Sequence, residues 1–148
     1  MSDLTFLSGG LSVDDRGTVR FVNDFNPLSL GVRRFYQVEN HCSRFIRAWH
    51  AHLKEAKYVY VAQGSALVGM VRINPDGSII PDYQASTFVL SSKMPKVLYI
   101  PPCHANGFMT LEPDTIMMFF STSTLCESKG DDIRFDYKCW DVWDIEPR

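Results

Sequence analysis

The feature that most restricts the fold of this chain is a long series of short β-prone segments separated by turn signals. The clearest turn is Asn74-Pro75-Asp76-Gly77, because proline fixes one torsion angle of the turn and glycine accepts a positive φ. No segment carries an apolar repeat of helical period over three turns. The pattern predicts an all-β protein, and the antiparallel jelly-roll barrel is the common closed form that also encloses a pocket. The predicted strands are 18–22, 34–38, 45–52, 57–63, 66–73, 78–80, 85–90, 97–100, 106–111 and 115–121.

The length of the chain fits one domain. Its 148 residues are 45% hydrophobic and 22% charged, which is enough apolar material for a substantial core. We therefore expect residues 1–148 to form a single domain. The C-terminal segment 125–148 should pack on the barrel through its tryptophans, Trp140 and Trp143. Ser8-Gly9-Gly10 is expected to be a flexible lead-in, and 125–132 is expected to be a polar loop.

Composition and charge exclude several classes of protein. The net charge is −2 and there is no basic run, which argues against a nucleic-acid surface. No apolar run approaches the roughly 20 residues of a membrane span, and residues 1–4 lack the features of a signal peptide. The four cysteines lie far apart and form no CxxC pair, so free thiols are expected. These features predict a cytoplasmic protein without nucleic-acid or membrane partners.

The strongest indication of a site is the pair His50 and His52. Successive side chains of a strand point to opposite faces, so these two imidazoles share one face. A single strand histidine is commonly just a hydrogen-bonded residue. Two of them, followed by Lys57 and by the later segment 100–108, favour a polar site inside the barrel. The same alternation places Arg47 on the opposite face, so a β-bulge is needed to bring it to the site.

These residues resemble the sugar-nucleotide cupins typified by dTDP-4-dehydrorhamnose 3,5-epimerase and the related dTDP-4-keto-6-deoxyglucose 3,4-ketoisomerases. Asp14-Asp15-Arg16-Gly17 resembles the epimerase D-x-R-G element, and 101–108 resembles P-P-G-x-A-H-G-F. His50-Ala51-His52 is similar to the ketoisomerase R-G-x-H-A-H element. The residues that match the central epimerase motifs are Phe35, Gln37, Asn40, Ser43, Arg47, His50, Lys57, Val59 and Val61.

The resemblance has two departures at positions that carry chemistry. The histidine of the epimerase A-H-G-F element is Asn106 in this chain. The epimerase tyrosine that serves as general acid has no counterpart in 122–125. The resemblance to the ketoisomerases makes Tyr36, fourteen positions before His50, the first candidate proton donor, and Tyr58 and Tyr60 are the alternatives.

The resemblance implies a cytoplasmic cupin isomerase that acts on a nucleotide-linked 4-keto-6-deoxy sugar in cell-surface polysaccharide biosynthesis. His50 would remove a proton next to the carbonyl, since histidine titrates near neutral pH. Lys57 would stabilise the enolate oxygen, with His52 as a second acid, base or orienting group. No cofactor or metal is implied, and a homodimer is expected in which Arg16 approaches the site of the neighbouring subunit. The implied substrate-binding residues are Arg47, Arg16, Gln37, Asn40, Asn106 and His104.

Two other classes of function stay open at this point. The first is a metal-dependent cupin such as a dioxygenase, with His50, His52 and His104 as ligands. Its usual glutamate spacing is not met, because Glu55 follows His52 after only two residues. The second is a non-catalytic cupin that binds a sugar nucleotide, which the two departures favour.

Overall fold

The β-prone segments form two facing antiparallel sheets in the computed structural model, which describes residues 5–148. One sheet has the strand order β1-β9-β6-β11-β4 and the other β12-β5-β10-β7-β8, while β2 and β3 form a separate hairpin. All pairings are antiparallel, which confirms the predicted all-β jelly roll. The strands are β1 (Phe6–Ser8), β2 (Gly10–Asp14), β3 (Gly17–Phe21), β4 (Arg34–Val38), β5 (Ile46–His52), β6 (Lys57–Gln63), β7 (Ser65–Arg72), β8 (Ser86–Ser91), β9 (Lys96–Ile100), β10 (His104–Thr110), β11 (Ile116–Ser121) and β12 (Ile133–Arg134).

The main hydrophobic core lies between the two sheets. Alternate residues of each strand point inward, as Val59 and Val61 do on β6 and Met117 and Phe119 on β11. Phe108 of the facing sheet packs against Phe119, with ring centroids 5.4 Å apart. The burial of these apolar side chains holds the sheets together.

A second core covers the outer face of the β5–β10–β7 sheet. Trp49 is fully buried there and packs against Trp140 and Trp143 of the C-terminal segment, with ring centroids 5.3 and 5.1 Å apart. Both faces of this sheet are therefore packed, and the segment that follows β12 supplies the outer layer. The rigid backing fixes the side chains that point the other way, into the space between the sheets.

Three local predictions are wrong. Ser8-Gly9-Gly10 is not a flexible lead-in, because β1 pairs with β9 and β2 pairs with β3. No strand forms at 78–80, where the Asn74 side chain instead donates to Ser78 Oγ and closes the turn. The polar loop at 125–132 contains the short helix α1 (Leu125–Lys129), which begins at a capping box formed by Thr124 and Glu127.

The other short helical element in residues 5–148 is a 3₁₀ turn at Tyr137–Cys139. Neither element is long and apolar enough to cross a membrane. The prediction that residues 1–4 carry no signal-peptide features lies outside the described residues.

The turn between β5 and β6 is held by Asp131, which lies after α1. Its carboxylate accepts the backbone N–H groups of Leu53, Lys54 and Glu55 at 2.9, 2.9 and 3.1 Å. Burial opposes the charge of this carboxylate, but the three N–H groups outweigh burial and lower the pKa of Asp131. The turn that follows the two histidines is thus fixed by a residue distant in sequence.

Glycine is required at position 69 of β7. A Cβ at Gly69 would lie 2.5 Å from Cη2 of Trp49 and 3.2 Å from Cη2 of Trp143. We expect Gly69→Ala to lower the free energy of unfolding by about 1–3 kcal/mol, the usual effect of overpacking. Gly130→Ala is the matched control, since its nearest contact is 3.7 Å away and its φ is −78°. Urea denaturation of both variants checks this, and equal effects would contradict it.

The Asp131 contacts make stability depend on pH in a defined direction. Because the pKa of the folded state lies below the ordinary 3.8, the stabilisation is present above that pH and is lost as the pH falls through the folded pKa. We expect Asp131→Asn to cost about 1–2 kcal/mol at pH 7, as the loss of a capping carboxylate does. The difference from wild type should shrink below pH 4 in urea titrations. A pH-independent difference, or the same loss in the exposed control Asp144→Asn, would contradict this assignment.

Candidate active site

A cavity of about 390 Å³ opens between the two sheets beside β4 and β5. Six of the predicted site residues line it, and they come from both sheets. The charge of the lining is mainly positive, since five arginine or lysine side chains face it together with one carboxylate, Asp132. The predicted residues in the lining are Tyr36, Arg47, His50, His52, Lys57 and Asn106.

A β-bulge in β5 brings Arg47 to the same cavity as the histidines. Against β10, His50 pairs with Asn106 and Arg47 pairs with Phe108. Two residues, Ala48 and Trp49, therefore lie opposite one, and the alternation of faces shifts by one position. Trp49 points to the outer core, while Arg47 and His50 both line the cavity.

Glycine at position 107 permits this bulge. A Cβ at Gly107 would lie 2.5 Å from Cβ of Ala48 and 3.0 Å from the carbonyl oxygen of Arg47. The bulge that alternation required for Arg47 is therefore present, and the local sequence accommodates it.

Two amide side chains support these residues from behind. Asn40 does not line the cavity, but its Oδ1 accepts Nε–H of Arg47 at 2.6 Å. Asn106 lines the cavity and donates from Nδ2 to the backbone carbonyl of His50 at 3.2 Å. Both contacts fix the strand that carries the charged groups.

The two histidines are held in the neutral form. Burial lowers the pKa of His50, and the charges of Arg134 and Lys57 lower it further. Burial and Lys57 also lower the pKa of His52, against the opposing effect of Glu55. Nε2 of His52 lies 3.3 Å from Oγ of Ser128 and 3.9 Å from Oδ1 of Asp132. A neutral imidazole has a free nitrogen that can accept a proton.

Lys57 and Glu55 form a buried ion pair beside the cavity. Lys57 is 8% exposed and Glu55 2% exposed, and Nζ lies 3.8 Å from Oε2. Burial lowers the pKa of Lys57, and the Glu55 carboxylate acts against that effect. The amine of Lys57 therefore lies where few water molecules compete for it.

Tyr36 lies on β4, in the sheet opposite the histidines. Its ring stacks on Phe119 at 5.1 Å between centroids, and the Arg34 guanidinium lies 5.1 Å from the ring centroid. Burial and the nearby charge of Glu55 raise the pKa of Tyr36 to about 12. The phenol stays protonated at neutral pH and is available as a proton donor.

Besides Asn40, three of the predicted residues do not line this cavity. Gln37 lies on the outward face of β4, because it alternates with Tyr36. Arg16 lies in the exposed β2–β3 turn and pairs with Asp14. His104 pairs with His52 in register, but it lines a second cavity, and its Nδ1 lies 2.9 Å from the carbonyl oxygen of Pro102.

Several residues of the site were missed in the sequence. Arg34 was detectable, because it precedes Tyr36 by two on the same strand and so shares its face. Glu55 was considered only as a metal ligand. The others follow β11, in a region that carries no periodic pattern, and they are Ser128, Lys129, Asp132 and Arg134.

The metal-dependent alternative needs a group of ligand side chains arranged around one point, and the described residues can be compared with that requirement. In 5–148 no group of three or more His, Cys, Asp or Glu side chains is arranged to hold a metal ion. His104, the proposed third ligand, lines a cavity other than the one lined by His50 and His52.

Several solved structures share this fold. The dTDP-4-dehydrorhamnose 3,5-epimerase of Bacillus anthracis str. Ames, with TDP and PPi bound, is 24% identical, with a TM-score of 0.74 over 93% of this chain and 84% of that one. ChmJ, a 3'-monoepimerase of Streptomyces bikiniensis in complex with dTDP-quinovose, is 17% identical, with a TM-score of 0.74 over 97% of this chain and 77% of that one. QdtA, a sugar 3,4-ketoisomerase of Thermoanaerobacterium thermosaccharolyticum in complex with TDP, is 16% identical, with a TM-score of 0.67 over 90% of this chain and 88% of that one.

The sequence itself decides the family. No curated protein has a significantly similar sequence. The sequence profile of dTDP-4-dehydrorhamnose 3,5-epimerase, however, matches residues 1–143, nearly the whole chain. This match confirms the predicted resemblance and favours a sugar-nucleotide isomerase over a metal-dependent or binding-only cupin. The chain belongs to the dTDP-4-dehydrorhamnose 3,5-epimerase family.

Proposed function

We propose that this chain is an isomerase that removes a proton next to the carbonyl of a nucleotide-linked 4-keto-6-deoxy sugar. A proton is then returned either to the opposite face of the same carbon or to the former carbonyl carbon. The observation that carries the proposal is the cavity itself. It combines neutral histidines, a buried lysine and a protonated tyrosine within one mainly cationic space. Membership of the epimerase family gives this combination its chemistry.

His50 is the proposed base. A C–H bond next to a carbonyl is acidic because the resulting enolate spreads its charge onto oxygen. The lowered pKa of His50 leaves its imidazole free to accept that proton at neutral pH. Lys57, buried in the same cavity, is the proposed partner of the enolate oxygen.

Tyr36 is the proposed proton donor, with His52 as the second acid or base. Tyr36 and the histidines lie on opposite sheets, so a sugar bound between the sheets would meet groups on both faces. The raised pKa keeps the phenol protonated until a strongly basic enolate is formed. His52 is held near Ser128 and Asp132, which fits either a proton-transfer or an orienting role.

The cationic lining is the proposed site of the diphosphate. Arg47 is oriented by Asn40, and a guanidinium matches the geometry of phosphate oxygens. Arg34, Lys129 and Arg134 add positive charge to the same cavity. Asn106 is a proposed contact of the sugar.

We also propose a homodimer that works in the cytoplasm, in the synthesis of sugars for cell-surface polysaccharides. The β2–β3 hairpin supports the dimer, since in 5–148 it pairs with neither main sheet. It exposes 66% of Val13 and 64% of Val19. In such a dimer, Arg16 is proposed to contact the substrate bound by the neighbouring subunit. Gln37 and His104 are also proposed substrate contacts, outside this chain's own cavity.

The catalytic assignment is tested by incorporation of deuterium from solvent. The substrates are a panel of nucleotide-linked 4-keto-6-deoxy sugars, read by NMR. We expect His50→Asn to slow exchange by roughly 100- to 10,000-fold, because asparagine cannot accept the proton. Lys57→Ala should also slow exchange, because the enolate oxygen loses its charged partner. The activation free energy should rise by roughly 3–4 kcal/mol. Arg47→Ala should instead weaken binding of the nucleotide.

The labelled carbons also define the reaction. Label at carbons 3 and 5 indicates double epimerisation, whereas label at carbon 4 with the carbonyl moved to carbon 3 indicates a 3,4-ketoisomerase. Exchange should survive chelation of divalent metals. Exchange by His50→Asn at the wild-type rate would overturn the assignment of His50, and nucleotide binding without any exchange by wild type would favour a binding-only cupin.

The dimer is tested by light scattering at micromolar concentration. We expect wild type to have the mass of two chains and a Val13→Asp/Val19→Asp double variant to have the mass of one, since charges would then face the buried hairpin. Val89→Asp is the matched control, because Val89 is similarly exposed, at 56%, and belongs to β8 rather than to the hairpin. A wild-type monomer would contradict the proposal.

A further inference from the structure

We propose that Glu55 is a positioning residue that keeps Lys57 charged and directed into the cavity. Glu55 does not line the cavity itself. This inference rests on the proposed function, because it names the group through which Lys57 would act on an enolate. It assigns a role to a carboxylate that the sequence suggested only as a poorly spaced metal ligand.

The carboxylate of Glu55 is the centre of a cluster of positive and titratable groups. Its side chain is fully buried, and it lies within 4 Å of a charged or titratable nitrogen on each of three strands. Oε1 lies 3.9 Å from Nη2 of Arg34 on β4 and 3.8 Å from Nε2 of His52 on β5. Oε2 lies 3.8 Å from Nζ of Lys57 on β6.

No hydrogen bond from the described residues satisfies this carboxylate. Both oxygens of Glu55 are buried without a hydrogen-bond partner. A buried bare carboxylate is unfavourable for folding, and such ion pairs commonly fail to offset the loss of hydration. The group is therefore poorly explained by stability alone, and its effect on the neighbouring charges is the better account of its position.

The backbone around Glu55 is fixed on both sides. Its own N–H donates to Asp131, and the N–H of Ala56 donates to Oγ1 of Thr122 at 2.9 Å. The carboxylate is thus directed inward by a turn that is bound to the loop after β11 and to the loop after α1. A carboxylate held in this way can fix the direction of a flexible lysine.

The effect on Lys57 follows from the groups that face it. Burial and Arg34 disfavour the ammonium form of Lys57, while Glu55 and the more distant Asp132 favour it. Tyr36 also faces Glu55, and its raised pKa keeps it neutral and so without effect on this balance. Removal of the Glu55 charge would leave a buried lysine next to an arginine, and the lysine would lose its proton more easily.

The proposed experiment compares wild type, Glu55→Gln and Glu55→Asp. The first readout is the ¹³Cε chemical shift of Lys57 against pH, assigned by its absence in Lys57→Arg. We expect Lys57 to be charged at pH 7 in wild type. We expect Glu55→Gln to lower the pKa of Lys57 by roughly 1–3 units, and Glu55→Asp to change it much less, because aspartate keeps the charge.

The second readout is the pH profile of deuterium exchange. We expect the basic limb, where Lys57 loses its charge, to move to lower pH in Glu55→Gln, while the acidic limb of His50 stays. At pH 7 exchange should fall roughly 10- to 100-fold, and TDP should bind about as tightly as to wild type, because the negative charge of Glu55 and the positive charge of Lys57 are lost together. A merely structural role would instead weaken TDP binding and leave the limbs in place. Glu112→Gln, at an exposed carboxylate that accepts from Ser65, is the matched control.

The outcomes separate this inference from the proposed function. A wild-type protein that exchanges no sugar would overturn the function, while the Lys57 titration and TDP binding would still test Glu55. Lys57 uncharged at pH 7 in wild type would overturn the role of Glu55 even if Glu55→Gln failed to fold. An unchanged Lys57 titration in a folded Glu55→Gln would also overturn it.

Discussion

The structure of this protein depends on a one-residue shift of alternation in β5. A regular strand would send either Arg47 or His50 away from the cavity. The bulge at Ala48 and Trp49 keeps both at the cavity, while Trp49 alternates with His50 and so points to the outer core. Gly107 leaves the room that this bulge needs. The outer tryptophan cluster and the polar cavity thus lie on opposite faces of the same strand.

The second constraint is the balance of charge in a space with little water. Cations line the cavity, and a phosphate-bearing ligand would need them, but they also lower the pKa of the histidines. That lowering is compatible with the proposed base, which must be neutral. A lowered pKa is unfavourable for Lys57, which must be charged in its proposed role. The Glu55 carboxylate lies 3.8 Å from Nζ of Lys57 and opposes the lowering. The same cavity can hold a neutral imidazole and a charged amine because burial lowers both pKa values, and that of an imidazole starts far below that of an amine.

Much of the fold was predictable because its strands carry a local pattern. The strands from β3 to β11 were predicted to within a few residues, since each alternates or is apolar and ends at a turn. β1 was missed because it pairs with the distant β9, and β2 because its pairing with β3 in a hairpin begins at Gly10, inside the Ser8-Gly9-Gly10 run that suggested flexibility. The short helix α1 was missed because its five residues, Leu125–Lys129, are too few to show an apolar repeat of helical period.

The same division applies to the candidate site. The histidine pair was predictable from spacing within one strand, and Arg47 required only the bulge that alternation already demanded. Glu55, Asp131 and Asp132 were not predictable, because they act through contacts between the β5–β6 turn and a segment roughly seventy-five residues later. No periodic pattern encodes such a contact. It depends on how the C-terminal segment returns across the sheet.

The departures from the epimerase motifs acquire a physical meaning in this arrangement. The resemblance leads one to expect a general-acid tyrosine in this region. Here the backbone N–H of Ser123 donates to Oγ of Ser121, and Thr124 caps the N-terminus of α1, so the segment positions the helix. Asn106 stands where the epimerase motif has a histidine, and its amide holds the backbone of His50 but cannot transfer a proton at neutral pH. The proton donor must therefore be another group that lines the cavity. Tyr36, protonated and on the sheet facing His50, is the proposed donor, and it would lie on the side of a bound sugar opposite the proposed base. A base on one sheet removes a proton from one face of the sugar, and an acid on the other sheet delivers a proton to the opposite face. This is the geometry that inverts a carbon centre.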